Sequence, residues 1–137
     1  SDALSREEWR LRMEAIPNER FILGYFLTED LEAPELAGII GFTRFEKLKR
    51  RHRAMVWGVY VGPSARGRGV SKMLLKECLH LAREMEGLHH LVLTVSSYAK
   101  AARKLYSSAG FTEFGREVEA ARTGEVAMDE IHMMLVV

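Results

Sequence analysis

The sequence predicts a single mixed α/β domain, residues 1–137, whose sheet is mainly antiparallel. Three observations lead there. Strand-like segments follow one another with short connections between residues 20 and 61, as in a meander. An amphipathic helical stretch then separates the third of these from a fourth strand, which is how a right-handed crossover between parallel strands reads. A second, shorter helix leads into two closing strands. With 137 residues and 47% hydrophobic composition, the chain has the size of one domain. It can bury a little under 70%, roughly, of its unfolded surface without disulfides or metals as staples.

Each element has a local reason. Ser5-Arg6-Glu7-Glu8 reads as a capping box. Trp9, Met13 and Ile16 follow it at helical spacing, and Pro17-Asn18 is a stop, so the spacing predicts a helix over residues 5–16. Arg20 to Thr28 (RFILGYFLT) is aromatic and β-branched and reads as a strand. Glu29 to Pro34 is an acidic turn. Glu35 to Phe45 and Ala54 to Val61 are the next two strands, joined by the basic run Lys47 to Arg53. Val70 to Met85 places Val70, Met73, Leu74, Cys78, Leu81, Ala82 and Met85 on one helical face. Gly87 is its stop. Leu88 to Val95 is a strand, Ala99 to Ala109 a short helix ended by Gly110, and Phe111 to Val118 and Val126 to Val137 close the sheet around a polar link, Ala121 to Glu125.

Composition removes several function classes. The only cysteine, Cys78, cannot form an intramolecular disulfide, and its place on an apolar helix face predicts a buried thiol. No apolar run approaches the 20 or so residues of a membrane span, and the charged N-terminus has no apolar signal core. These features predict a cytoplasmic protein. The net charge is +1, so nucleic acid and anionic membranes are not expected partners. The run Lys47 to Arg53 (KLKRRHR) reads as a solvated hairpin tip, or as a patch for nucleic acid or an acidic partner. His89 and His90 are adjacent on a strand and so point to opposite faces. With Cys78 and His80 they give no zinc-type spacing, and no metal is predicted.

Chemistry concentrates in Val59 to Leu75 (VYVGPSARGRGVSKMLL). A strand ends, a Gly/Arg loop turns, and an amphipathic helix begins. The first turn of a helix carries unpaired N–H groups and the positive end of the macrodipole. Glycine lets backbone approach a ligand closely. Arg66 and Arg68 add positive charge, and the whole suits a pyrophosphate. Neither GxxxxGK[ST] nor GxGxxG is present, which excludes a P-loop and a dinucleotide fingerprint. Alone, the loop also fits an exposed Arg/Gly turn at a helix start.

The loop has company. Arg66-Gly67-Arg68-Gly69-Val70-Ser71 follows a strand ending Val59-Tyr60-Val61-Gly62-Pro63. A second motif, Ala102-Arg103-Lys104-Leu105-Tyr106-Ser107-Ser108-Ala109-Gly110-Phe111, lies further on, and Asp129-Glu130-Ile131-His132-Met133 closes the chain. Together these resemble R-x-x-G-x-[GA], A-x-x-LY-x-x-x-GF and DE-x-x-M of the GNAT superfamily of N-acetyltransferases. The likeness runs from about Glu35 to the C-terminus.

That resemblance implies a GNAT-like mixed sheet flanked by helices, with its central strands splayed. It also implies acetyl-CoA as co-substrate between the third and fourth strands of this reading. Val59, Tyr60 and Val61 would pair with the pantetheine. Arg66, Gly67, Arg68, Gly69, Val70, Ser71 and Lys72 would cradle the pyrophosphate, with Ser71 in place of the usual Gly or Ala. Tyr106 would protonate the departing thiolate; without the motif it reads as a core aromatic. Ala99 stands where many members have a pantetheine-binding Asn, leaving Ser96 or Ser97 to replace it. Met55 and Thr94 stand where members carry a carboxylate base, so Asp129, Glu130 and His132 become candidates, each also readable as a surface or structural residue. The chain begins within what matches the family's second helix, so the family's first strand and helix are not expected in it. The implied activity is acetyl transfer to a primary amine of a small molecule or peptide. The alternative is an inactive CoA-binding module that regulates a partner. The apolar strand Ile131 to Val137 could pair two copies into a homodimer.

Overall fold

The computed structural model describes residues 9–27 and 35–137. The capping box at Ser5 to Glu8 and the acidic turn at Glu29 to Pro34 lie outside them. Among the described residues, seven strands form one sheet: β1 (Trp9–Ile16), β2 (Arg20–Leu27), β3 (Glu35–Arg44), β4 (Arg53–Val61), β5 (His90–Ser96), β6 (Thr112–Thr123) and β7 (Val126–Val136). Their spatial order is β1-β2-β3-β4-β5-β7-β6. Only β4 and β5 run parallel; every other neighbouring pair is antiparallel. The mixed, mainly antiparallel sheet is therefore as expected. Two α-helices are described, α1 (Val70–Arg83) between β4 and β5, and α2 (Lys100–Ser108) between β5 and β6.

One expected element is different. Trp9 to Ile16 is a strand, not a helix, and pairs along its whole length with β2, from Trp9 opposite Leu27 to Ile16 opposite Arg20. The same residues carry a second period. Trp9, Leu11 and Met13 alternate with Arg10, Arg12 and Glu14, the two-residue repeat of a strand. Against the edge of β2, backbone pairing outweighs the helical spacing of Trp9, Met13 and Ile16. The sheet gains a strand that the motif alignment did not give it. A smaller correction falls on the expected link Ala121 to Glu125. There β6 runs on to Thr123 and β7 starts at Val126, so the connection is a two-residue turn with Gly124 at φ +62, the sign that tight hairpin turns need.

The core lies between one sheet face and the helices. Phe21, Leu23, Ile40, Phe42, Ala54, Val56, Leu91, Leu93, Ile131 and Met133 project to this face and meet Val70, Leu74, Cys78 and Ala82 of α1. Phe21 and Phe42 stack with centroids 4.5 Å apart. Helix α1 approaches β3 closely because Gly38 has no side chain: a Cβ there would stand 3.0 Å from Val70 Cγ1 and 3.1 Å from Leu74 Cδ1. The basic run forms the β3–β4 connection, with Lys47 to Arg50 exposed on a short 3-10 turn. Its base is fixed by buried Arg44, which donates to the backbone oxygens of Arg51 and Glu86.

Candidate active site

Strand β4 makes the site by leaving its neighbour. It pairs with β5 over only three positions, Arg53 to Met55 against His90 to Val92. On its other side it stays paired with β3 as far as Val61. Between Trp57 and Tyr60 the register slips against Gly41 and Ile39, and Gly58 sits at φ +64. This is a β-bulge, which adds twist to the strand that carries it and turns β4 away from β5. The edge of β4 beyond Met55 thus presents backbone groups that no described strand pairs with. An extended amide chain can pair with them as a sheet strand would.

The Gly/Arg loop follows at once. Gly67 and Gly69 hold φ of +79 and +76, and nothing lies within 4 Å of where their Cβ atoms would be. Glycine is needed here for conformation and leaves open space above the backbone. Gly69 caps α1 from the left-handed region. The first helical bond runs from the Met73 N–H to the Gly69 oxygen at 3.0 Å, so the amides from Gly69 to Lys72 precede it and are directed at the loop's concavity. Arg66 folds back, with Nε 3.4 Å from the Val61 oxygen.

These elements enclose a cleft of about 510 Å³. Val59, Tyr60 and Val61 form one wall. Arg66, Gly67, Gly69, Val70, Ser71 and Lys72 form its end, and Tyr106 stands on the far side with Ala101, Ala102 and Leu105. Of the eleven residues expected to hold acetyl-CoA or protonate its thiolate, ten meet here. The exception, Arg68, lies in the same loop but not on the cleft wall. Ala65, Ala101, Ala102 and Leu105 were not singled out. Ala102 and Leu105 belong to the second motif, and their spacing with Tyr106 on α2 was the available signal.

Tyr106 is buried, with its ring edge-on to Phe111 at 5.8 Å between centroids. Burial raises its pKa above the ordinary phenol value. The hydroxyl therefore keeps its proton at neutral pH, which suits a donor. Ala99 precedes α2 and packs on the core. Of its two suggested substitutes, Ser96 already accepts from the Tyr98 N–H at 3.2 Å. Ser97 donates its N–H to the Asp129 oxygen at 2.9 Å.

The candidate bases separate on geometry. Asp129 accepts from the Glu119 N–H at 2.9 Å and from Arg116 Nε at 2.6 Å. These hold its pKa below the ordinary carboxylate value, so it is a structural clasp and a poor proton acceptor. Glu130 lies opposite Ser96, and His132 opposite Thr94, with the His132 ring tilted 5.9 Å from Phe114. Among the described residues, no group of three or more His, Cys, Asp and Glu side chains is placed to hold a metal ion.

A splayed parallel pair, a glycine-rich helix start and a tyrosine facing both are the combination the sequence motifs pointed to. A profile of the Acetyltransferase (GNAT) family matches residues 2–111. The chain belongs to this family. Among GNAT structures, an acetyltransferase of Streptococcus pneumoniae superposes with a TM-score of 0.79 at 26% identity, over 88% of this chain and 68% of the other. A candidate acetyltransferase from Salmonella typhimurium, solved with its cofactor acetyl-CoA, gives 0.73 at 23% identity, over 85% and 64%; that likeness is one of fold. In sequence, YwnH of Bacillus subtilis, a candidate phosphinothricin acetyltransferase, is 29% identical over 90 residues, 66% of this chain. The GNAT chain spans about half, 54%, of that relative's length. No described helix is long and apolar enough to cross a membrane.

Proposed function

We propose that this GNAT chain transfers an acetyl group from acetyl-CoA to a primary amine. The observation that carries the reading is the single cleft in which the open edge of β4, the loop Arg66 to Lys72 and the Tyr106 side chain meet.

The residues fit the co-substrate part by part. The unpaired edge at Val59 to Val61 suits the amides of pantetheine. The amides from Gly67 to Lys72, with Arg66, suit a pyrophosphate. Bound there, acetyl-CoA supplies an activated thioester. An amine that has lost its proton forms the new C–N bond, the C–S bond breaks, and the proton that the nitrogen sheds on becoming an amide passes through water to restore the Tyr106 phenol. The Val59 N–H, on the splayed edge, would be the donor to the oxyanion. Tyr106 gives its proton to the departing sulfur. The site needs no covalent enzyme intermediate, in keeping with the burial of Cys78.

Titration of the purified chain with acetyl-CoA by calorimetry tests the reading, repeated with Arg66→Glu. Micromolar binding that the substitution abolishes supports it. No binding by the unaltered chain rejects it. Binding without turnover of any amine in a broad panel favours the alternative, a CoA-binding module that regulates a partner; Met55 and Thr94, which carry no carboxylate, are what recommend that second reading.

A further inference from the structure

A second hollow begins where the cleft ends. It runs between α1 and α2, encloses about 530 Å³ and shares Lys72, Ala101 and Leu105 with the cleft. From there its lining continues along both helices, as far as Arg83 on α1 and Ala109 beside the end of α2. At 1.5 Å per residue, Lys72 to Arg83 spans about 16 Å and Ala101 to Ala109 about 12 Å.

The helical spacing makes this an apolar trough with a cationic rim. Leu75 and Leu79 lie one turn apart on α1, as Leu105 and Ala109 do on α2, and these four supply the apolar lining. Lys72, Lys76 and Arg83 follow the same side of α1, and Lys104 lines the hollow from α2. All four cations are exposed, and among the described residues none is in an ion pair. No described acidic side chain lines the hollow. The glutamates of this stretch are placed elsewhere: Glu77 lines a hollow with Met73 and His80, and Glu84 lies 3.8 Å from His80. Lys72 and Lys76, one turn apart, repel each other. An anionic, apolar surface seated between the helices would relieve that repulsion and bury the trough.

The spread of the cations selects the occupant. A single-headed anion meets one or two of them and leaves the others, up to about 16 Å away, unmatched. A helix laid along the trough meets all four. Its apolar stripe at i, i+4 and i+7, about 10 Å long, enters the floor, and acidic residues on both flanks reach the rim. We propose that the groove between α1 and α2 is a docking site for an acidic amphipathic helix of a partner protein. The proposal stands apart from the acetyl-transfer reading, because Leu79, Arg83 and Ala109 do not line the cleft.

The test uses the full chain and a fluorescent acidic peptide of about 15 residues, with leucines at i, i+4 and i+7 and glutamates flanking them. A hydrocarbon staple on its outer face keeps it helical when free. Two stapled controls accompany it: one disperses the same leucines around the helix, the other has lysine in place of glutamate. Fluorescence anisotropy should give the acidic amphipathic peptide an affinity about tenfold or more above either control. Lys76→Glu combined with Arg83→Glu should weaken it about tenfold or more. Ser108→Trp, which fills the groove and leaves its charge unaltered, should also weaken it. Melting temperatures report that each variant folds. No binding of the acidic peptide, equal binding of the dispersed control, or binding unaffected by Ser108→Trp overturns the docking site. Dodecanoate that binds where the peptide does not, and is lost in Ser108→Trp, assigns the groove to a small anionic amphiphile instead. Displacement of the peptide by acetyl-CoA, together with weaker acetyl-CoA binding in the Lys76 and Arg83 double variant, assigns it to the nucleotide end of the co-substrate. Either result overturns the proposal.

Discussion

Met55 and Val92 are the last residues at which β4 and β5 face one another. Everything the cleft uses follows them. Beyond Met55 the bulge at Gly58 bends β4 away, its edge opens, and the loop with Gly67 and Gly69 completes the pocket floor. One short stretch of chain, Met55 to Lys72, thus supplies both a strand edge and a helix start. Tyr106 is the contribution from the other side.

The conformation of Gly69 makes its role testable. At φ +76 a side chain is strained, although no atom stands in its way. Gly69→Ala should cost about 1–2 kcal/mol of stability and lower the melting temperature by a few degrees. Gly69→Asp should cost similarly and also place negative charge beside the proposed pyrophosphate site. The expected outcome is a rise in the acetyl-CoA dissociation constant of about tenfold or more for Asp and a much smaller one for Ala. Calorimetry with both variants checks this; equal effects would mean that charge at the loop is immaterial.

Tyr106→Phe removes a hydroxyl and keeps the ring against Phe111, so folding and acetyl-CoA binding should persist. Turnover should fall by about tenfold or more, in the range of a lost general acid. Because burial raises the Tyr106 pKa above its ordinary 10.0, the hydroxyl loses its proton only at more alkaline pH. A fall in kcat caused by this group should therefore come at more alkaline pH than an ordinary phenol would give, and be missing in the Phe variant. Steady-state rates across pH with a competent amine read both effects. Unaltered turnover would remove Tyr106 from the chemistry.

Most of the sheet could be read because strand periodicity and glycine punctuation agree from Arg20 onward. The cleft could be read because its parts are contiguous motifs: Val59 to Lys72 is one run, and Ala102 to Tyr106 is one helical face. What escaped depended on pairing at a distance. Trp9 to Ile16 satisfies both a helical and a strand period, and only the edge of β2 decides between them. The Trp57 ring lies against Gly41, sixteen residues earlier in β3, through a register that no local pattern announces. The clasp of Asp129 on Glu119 and Arg116 likewise depends on the irregular register of β6 against β7.

That clasp has a pH signature. Glu119 holds φ +52, a conformation that costs a non-glycine residue energy, and the Asp129 carboxylate pins it by accepting its N–H. The Asp129 pKa is lowered by that N–H first, then by Arg116. A lowered folded-state pKa contributes stability above the ordinary carboxylate value, which is lost as pH falls through the lowered one. Asp129→Asn should thus melt at lower temperature than the unaltered chain at pH 7, and the two curves should converge as pH drops below the usual carboxylate range. Melting temperatures between pH 7 and pH 2 test this. A gap that persists at the acid end would mean that packing, not charge, holds the bulge.

Cys78 gives the opposite sign. It is fully buried under the sheet on α1, and burial pushes its pKa from 9.0 up to about 12. The thiolate is the reactive form, so at pH 8 the folded protein should resist a thiol-specific aromatic disulfide reagent. Labelling should proceed at the rate of unfolding and speed up in denaturant. Since the folded-state pKa is raised, the stability it contributes is complete below pH 9 and is lost as pH rises towards 12. Tyr25 and Tyr106 also have raised values and weaken the fold on the alkaline side too, so the informative quantity is a difference. Cys78→Ala should be less stable at pH 7, because it leaves a small void, yet lose less stability than the unaltered chain between pH 9 and pH 12. Parallel alkaline decline in the two proteins, or stoichiometric labelling within seconds at pH 8, would show that the thiol reaches solvent and that α1 does not seal this part of the core.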